Sequence, residues 1–299
     1  KELIEREIIM TFKIVTDSSC DFTIKELKER DIDRALFSFE IEGKEYFDDG
    51  ISFAYDDFYK ALESGSMAKT SAVNTQAFIE MFEKYLKEGR DIVCVTMSSQ
   101  LSSTYNNALR AKEELNDKYP NNKIYVIDSK IASLGVGLIL DALANMRDSG
   151  KTSEEAVDWV EKNKLRVNAW VATTDLKHFV RGGRLSAPAG WIGSVLNVCP
   201  IIKVSREGEL ENYKAIRSKK KAYKFLEESY EKYADPTSKV YLLYGTEKDV
   251  AKKIKDNLIS AHPDLEDRFD VGRMGTTIGA HTGPYILSIF FWGKEERFE

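Results

Sequence analysis

The 299-residue chain carries a formal net charge of −5, with 42% hydrophobic and 11% aromatic residues. That composition supplies a substantial core and excludes a disordered chain. The acidic balance argues against nucleic acid as the main partner, because holding phosphates needs a basic face. The run Arg217-Ser218-Lys219-Lys220-Lys221 is the local exception and reads as a solvated helix start. Cys20, Cys94 and Cys199 are widely spaced, with no C-x-x-C, which predicts a reduced, cytoplasmic protein without a disulfide framework or a zinc site. No apolar run reaches the ~20 residues that span a bilayer, so no stable membrane insertion is expected. The opening KELIEREIIM is charged and unlike a secretory leader. Residues 1–9 precede Met10 and stay outside the fold reading.

In chain order, Phe12–Thr16 is a short apolar strand ending in Asp17-Ser18-Ser19-Cys20-Asp21. Thr23–Arg30 reads as a helix, with Thr23 and Glu26 at capping-box spacing. Ala35–Ile41 alternates as a strand does, and Gly43–Ile51 is polar and loop-like. Tyr55–Ser64 is a predicted helix closed by Gly65. Lys69–Thr75 is a hydroxyl-rich loop, and Gln76–Glu88 is a helix ending at Gly89. Ile92-Val93-Cys94-Val95 is a buried strand. It runs into Thr96, Ser98, Ser99, Ser102, Ser103 and Thr104, and Tyr105–Leu115 then opens a helix. Ile124–Ile127 is a strand ending in Asp128-Ser129, followed by an apolar helix over Ile131–Arg147.

The alternation of strand and helix to this point predicts a parallel sheet covered on both faces. Its strands end in Ser, Thr or Asp, at the edge where open α/β sheets bind ligands. A boundary falls near Ser149–Lys164, with Thr152–Lys162 a charged helix. The predicted fold class is therefore α/β. An N-terminal parallel α/β/α domain covers residues 11–160, and a C-terminal α+β domain covers 161–295. In the second half, Trp170–Thr174 reads as a strand and Asp175–Val180 as a helix. Pro200–Val204 and Leu210–Arg217 form an antiparallel pair around Arg206-Glu207-Gly208-Glu209. Ser218–Tyr233 and Thr246–Ile259 are helices, while Val240–Tyr244, Arg268–Val271 and Ile286–Trp292 are strands.

The hydroxyl cluster from Ser98 to Thr104 precedes a helix. A helix N-terminus carries unpaired N–H groups and partial positive charge, so alcohols gathered there suit a carboxylate or phosphate. His281 sits between Gly279 and Gly283-Pro284, with Thr282 beside it. A loop of that composition lets a histidine approach a ligand closely, as a hydrogen-bond donor or as a base. His178 and His262 read as structural or solvated. Arg181-Gly182-Gly183-Arg184 offers two guanidiniums to an anion or an acidic partner. The nearly continuous apolar stretch Trp191–Ile202 reads as core or as one wall of a hydrophobic tunnel. There is no G-x-S-x-G elbow, no P-loop and no complete dinucleotide fingerprint, so no cofactor is expected. No grouping has metal-ligand spacing.

An anionic head site beside an apolar tail site fits a fatty acid. Burying the carboxylate costs several kcal/mol unless donors replace its water. Burying ~14 methylenes returns on the order of 11 kcal/mol gross.

These motifs together resemble the DegV family of bacterial fatty-acid-binding proteins. The resemblance runs from Phe12 to Gly293. It rests on Val15-Thr16-Asp17-Ser18, on Thr70-Ser71-Ala72-Val73-Asn74 and on the run from Ser98 to Tyr105. The Arg181–Ser186 loop and the late Gly279–Pro284 segment complete the series. It implies a two-domain carrier, not a catalyst, with one long-chain fatty acid between the domains. By the resemblance, the carboxylate is held by Thr70, by Ser98 or Ser99, and by His281. Arg181 and Arg184 would meet a fatty acid kinase, which phosphorylates the bound acid to an acyl phosphate for phospholipid synthesis. The chain departs from the family at Ala72-Val73, at Tyr285 and across Ala187–Trp191, which bears on acyl length and on partner choice. The competing reading is a Ser/His acyl hydrolase or transferase built on the same loops.

Overall fold

The computed structural model describes residues 12–185 and 198–297. The expectations for Ser186, for Ala187–Trp191 and for the first part of Trp191–Ile202 fall outside the described residues, as does the N-terminal extension. The first half runs β1 (Phe12–Asp17), α1 (Ile24–Glu29), β2 (Ile32–Ala35), β3 (Ser38–Ile41), β4 (Lys44–Phe47) and α2 (Tyr55–Glu63). It continues through β5 (Lys69–Ser71), α3 (Thr75–Leu86), β6 (Asp91–Thr96), α4 (Thr104–Asn116), β7 (Ile124–Asp128), α5 (Leu134–Asp148) and α6 (Ser153–Asn163). The second half contains β8 (Val167–Thr173), α7 (Lys177–Arg181), β9 (Val198–Val204), β10 (Leu210–Arg217) and α8 (Lys219–Tyr233). It closes with β11 (Val240–Tyr244), α9 (Lys248–Ala261), β12 (Phe269–Arg273), α10 (Thr276–Thr282) and β13 (Ile286–Trp292).

Strands β2-β1-β6-β7 form the expected parallel sheet. Strand β1 is buried along its whole length, as its continuous apolar run requires of a sheet covered on both faces. The second half forms a six-stranded mixed sheet ordered β10-β9-β8-β13-β11-β12, antiparallel except for the β11–β12 pair. The β9–β10 hairpin falls where the sequence pattern placed it. The predicted Thr23 cap forms, closing a capping box with Glu26. Thr152 closes a second one with Glu155, which the sequence reading had not singled out. Among the described residues no helix is long and apolar enough to cross a membrane.

Four expectations need correction. Ala35–Ile41 is not one strand: β2 ends at Ala35 and joins the parallel sheet, while β3 leaves it. The polar stretch after Gly43 is not a loop, because β4 pairs with β3 there. Part of the Lys69–Thr75 loop is strand β5, on the other side of β3. These three short strands form a separate antiparallel sheet whose exposed β4 carries charged residues, hence the loop-like composition. Finally, the Gly-rich segment around His281 is helical: α10 ends at Thr282, and Gly283 stops it with φ +81°. Gly275 and Gly279 disguised that helix.

Helix α5 is apolar nearly all round because it lies between the sheets, packing on β1 and β6 on one side and on β8 and β13 on the other. Its Asp141 ties the halves together, accepting from Tyr241 Oη at 2.6 Å and from Arg30 Nε at 2.5 Å. On β13 the pleat divides the side chains. Leu287, Ile289 and Phe291 join the outer cluster against α8 and α9, while Ile286, Ser288 and Phe290 face inward.

Candidate functional site

The inward face of the mixed sheet, the strand-end loops of the parallel sheet and helix α10 enclose a cavity of about 230 Å³. Phe37, Leu101, Val171, Phe179, Ile286 and Phe290 contribute apolar wall. Of its polar lining residues, Thr70, Ser102, Ser103, His281 and Arg184 are partly or fully exposed, while Ser133, Thr277, Thr282 and Ser288 are buried.

Thr70 and His281 are 211 positions apart in sequence and are hydrogen-bonded, Oγ1 to Nε2, at 2.8 Å. Thr70 is fixed from two directions. Strand β5 pairs Thr70 with Phe39, and Asn74 caps α3 by accepting from Ala77 N at 2.9 Å. Asn107 of α4 then donates to Val73 O at 2.7 Å, locking the loop between them. His281 is held in the last turn of α10. The start of that helix is anchored by Thr276, which donates to Asp48 Oδ1 at 2.6 Å, and by Gly275 N, which donates to Asp21 Oδ1 at 3.2 Å.

Burial pushes the His281 pKa down to about 4, with the nearby Arg184 guanidinium a lesser cause. The imidazole is therefore neutral at pH 7. Its Nδ1 is buried without a partner among the described residues and packs against Gly182, so the proton belongs on Nε2, which has Thr70 Oγ1 as acceptor. That arrangement leaves the Thr70 hydroxyl proton free to point at an acceptor in the cavity.

Arg184 sits beside this pair. Its Nε donates to Leu101 O at 3.1 Å, bridging the Gly-Gly-Arg loop to the loop after β6. A neutral histidine, a threonine hydroxyl and a guanidinium around one opening make a site for an anionic head group, with apolar surface behind it.

The sequence-predicted residues divide. Thr70, His281, Thr282 and Arg184 all line the cavity, whereas Arg181 is exposed on α7 and does not. The Thr282 hydroxyl is already committed, donating to Ile278 O at 3.0 Å within its own helix. Ser98 is fully buried and does not line the cavity. Its Oγ accepts from Gln100 N at 3.2 Å and packs against Gly208 at the tip of the β9–β10 hairpin. Ser99 lies on the Asp128–Lys130 side, its N donating to Asp128 Oδ1 at 3.1 Å. Ser102 and Ser103, one turn further on, reach the cavity instead.

Much of the polar strand-end chemistry is internal. Asp17 accepts from Met97 N and Ser19 N, each at 3.0 Å, and its burial pushes its pKa up to about 6. Sequence reading also missed Thr277, Ser133 and Ser288 as lining residues. For Thr277, spacing four before His281 on a helix was the available signal, hidden by reading that segment as a loop.

The fold and site define an α/β protein that encloses an apolar cavity with a polar, anion-compatible mouth. The profile of the DegV family, described as uncharacterised proteins, matches residues 11–294, and the chain belongs to that family. A DegV domain-containing protein of Clostridium perfringens is 35% identical over 289 residues, covering 96% of this chain and 99% of its own. One from Streptococcus pyogenes serotype M1 is 32% identical over 290 residues, covering 96% and 100%. Among solved structures, DegV from Bacillus subtilis, described as a fatty acid binding protein, matches with a TM-score of 0.81 at 26% identity, over 95% of this chain and all of that one. A Thermotoga maritima protein, described as revealing a fatty acid binding function, matches with a TM-score of 0.78 at 25% identity, over 95% and 99%.

Proposed function

We propose that this protein binds one long-chain fatty acid in the cavity, with the carboxylate at Thr70 and His281 and the acyl chain along the inner face of the mixed sheet. The observation that carries the reading is the Thr70–His281 pair at 2.8 Å at the polar end of an otherwise largely apolar cavity. The fatty-acid-binding relatives of the same fold support it. In this reading Arg184 supplies positive potential at the mouth, and Ser102 and Ser103 take the place expected of Ser98 or Ser99.

The protein acts as a carrier, not a Ser/His hydrolase. Among the described residues the hydrogen-bond partner of His281 is a threonine, and an imidazole with a pKa near 4 is a weak base at neutral pH. In this reading the two domains are residues 11–160 and 161–295, a division near the end of α6, and the cytoplasm suits the three buried free cysteines. The exposed Arg181, with Arg184 nearby at the opening, suits docking of a fatty acid kinase that phosphorylates the carboxylate where it emerges.

Equilibrium displacement of a fluorescent fatty acid tests the binding reading. Thr70→Val removes one charge-assisted hydrogen bond, worth about 1.5–3 kcal/mol, and so weakens binding by roughly 10- to 100-fold. Unchanged affinity in both Thr70→Val and His281→Ala would refute the site.

A further inference from the structure

Two hydroxyls in the cavity wall are left over after the head group is accommodated. Ser288 lies in the middle of β13, and its backbone neighbours across the ladder are Val171 on β8 and Leu243 on β11. Ile286 and Phe290 flank it on the same face, so its surroundings on the sheet are apolar. The side chain is 1% exposed, lines the cavity, and its Oγ has no hydrogen-bond partner among the described residues. Thr277 on α10 is also 1% exposed, lines the same cavity, and has an Oγ1 unpartnered among the described residues.

The other two threonines of α10 show the contrast. Thr276 donates to Asp48, and Thr282 donates to Ile278 O. A buried hydroxyl without a partner destabilises the fold, and an alanine or valine at either position would fill the wall without that cost. One such hydroxyl is on the sheet wall and the other on the helix, and both border the space that the ligand enters.

We propose that the cavity selects an acid bearing an oxygen function along its chain, a hydroxylated or oxo long-chain fatty acid, received by the hydroxyls of Ser288 and Thr277. The chemistry matches on both sides. A serine or threonine hydroxyl both donates and accepts, and so meets an in-chain hydroxyl or a ketone oxygen equally well. A plain methylene chain leaves both protein hydroxyls unsatisfied. A site built to hydrogen-bond a ligand oxygen discriminates strongly against the analogue that lacks it. The inference rests on the fatty-acid reading and adds the class of acid to it.

The test is a displacement series comparing stearic acid with hydroxystearic acids substituted at successive positions along the chain, on the wild-type protein, Ser288→Ala, Thr277→Val and the double variant. We expect at least one positional isomer to bind the wild type about tenfold more tightly than stearic acid. That ratio should fall to near one in the double variant, and part-way in each single variant. The inference is overturned if stearic acid binds and no isomer is preferred to it. A preference that survives in the double variant also overturns it. If neither stearic acid nor any isomer binds the wild type, the fatty-acid reading fails first and the inference goes with it.

Discussion

Gly182→Ala is the most incisive single perturbation of the head site. Gly182 has φ −66° and ψ −17°, a conformation that alanine adopts without strain, so any effect comes from the added methyl group. A Cβ there would overlap His281 Nδ1 and lie 3.1 Å from His178 O. The imidazole is held between Gly182 on its Nδ1 side and Thr70 on its Nε2 side. To restore ordinary van der Waals separation the ring must move by roughly 1 Å. The 2.8 Å bond to Thr70 cannot survive a displacement of that size. The loss is one neutral hydrogen bond, about 1 kcal/mol, together with misplacement of the Thr70 hydroxyl that the imidazole orients toward the head group. Fatty-acid affinity should fall roughly tenfold, measured by displacement of a fluorescent acid, with the His281 ring resonances shifted. Gly183→Ala is the control. Gly183 has φ +69°, and a methyl group added there would meet nothing within 4 Å, so the variant should lose about 1 kcal/mol of stability and keep its affinity. Unaltered affinity in Gly182→Ala, or an equal loss in both variants, would refute this positioning of His281.

Other consequences follow from the same geometry. Gly208 has φ +92°, and a Cβ there would overlap Ser98 Oγ and approach Lys130 Cα at 2.9 Å. Gly208→Ala should therefore lift the hairpin tip off the loop after β6, lower the melting temperature and speed fatty-acid release in stopped-flow measurements. An unchanged release rate would show that this contact does not close the cavity. His281→Gln should change the acid limb of stability. The folded-state pKa of about 4 lies below the ordinary value of 6.5, so the unfolded chain binds the proton first as pH falls. Wild-type stability should drop relative to the variant between pH 6.5 and about 4, by no more than about 1.4 kcal/mol per pH unit. Chemical denaturation across that range reads it, and parallel curves would contradict a buried neutral imidazole. Asp17 acts in the opposite sense: its pKa, raised to about 6, makes the carboxyl most favourable to the fold below pH 4, an advantage lost as pH rises through 6. Asp17→Asn should relieve that loss.

Three strands of the parallel sheet were legible because β1, β6 and β7 are largely apolar runs separated by amphipathic helices, the first of which opens on the Thr23 capping box; β2 was not, because Asp33 and Arg34 interrupt its four residues. The small β3–β4–β5 sheet was not, since strands of three or four residues with exposed charged side chains lack a period long enough to detect. The head site was half legible. His281 stood out as a histidine among glycines and Lys69–Thr75 as a hydroxyl-rich loop, the resemblance to the DegV family pointed to Thr70 within it, and the fold brings Thr70 and His281 into contact. Ser98 stood out for the same reason and proved to be buried against the hairpin, because which hydroxyl of a loop faces a cavity depends on tertiary packing. Ser288 gave no signal at all. One serine in a β-prone run is unremarkable until the sheet shows that its neighbours are apolar and its hydroxyl unpaired.

Whether the cavity holds a fatty acid by its carboxylate is decided by native mass spectrometry of the purified protein, followed by solvent extraction and identification of what is released. One long-chain acid per chain is expected, lost on denaturation and depleted in the Thr70→Val protein. A protein that carries no acid and takes up none from an added mixture would contradict the proposed function.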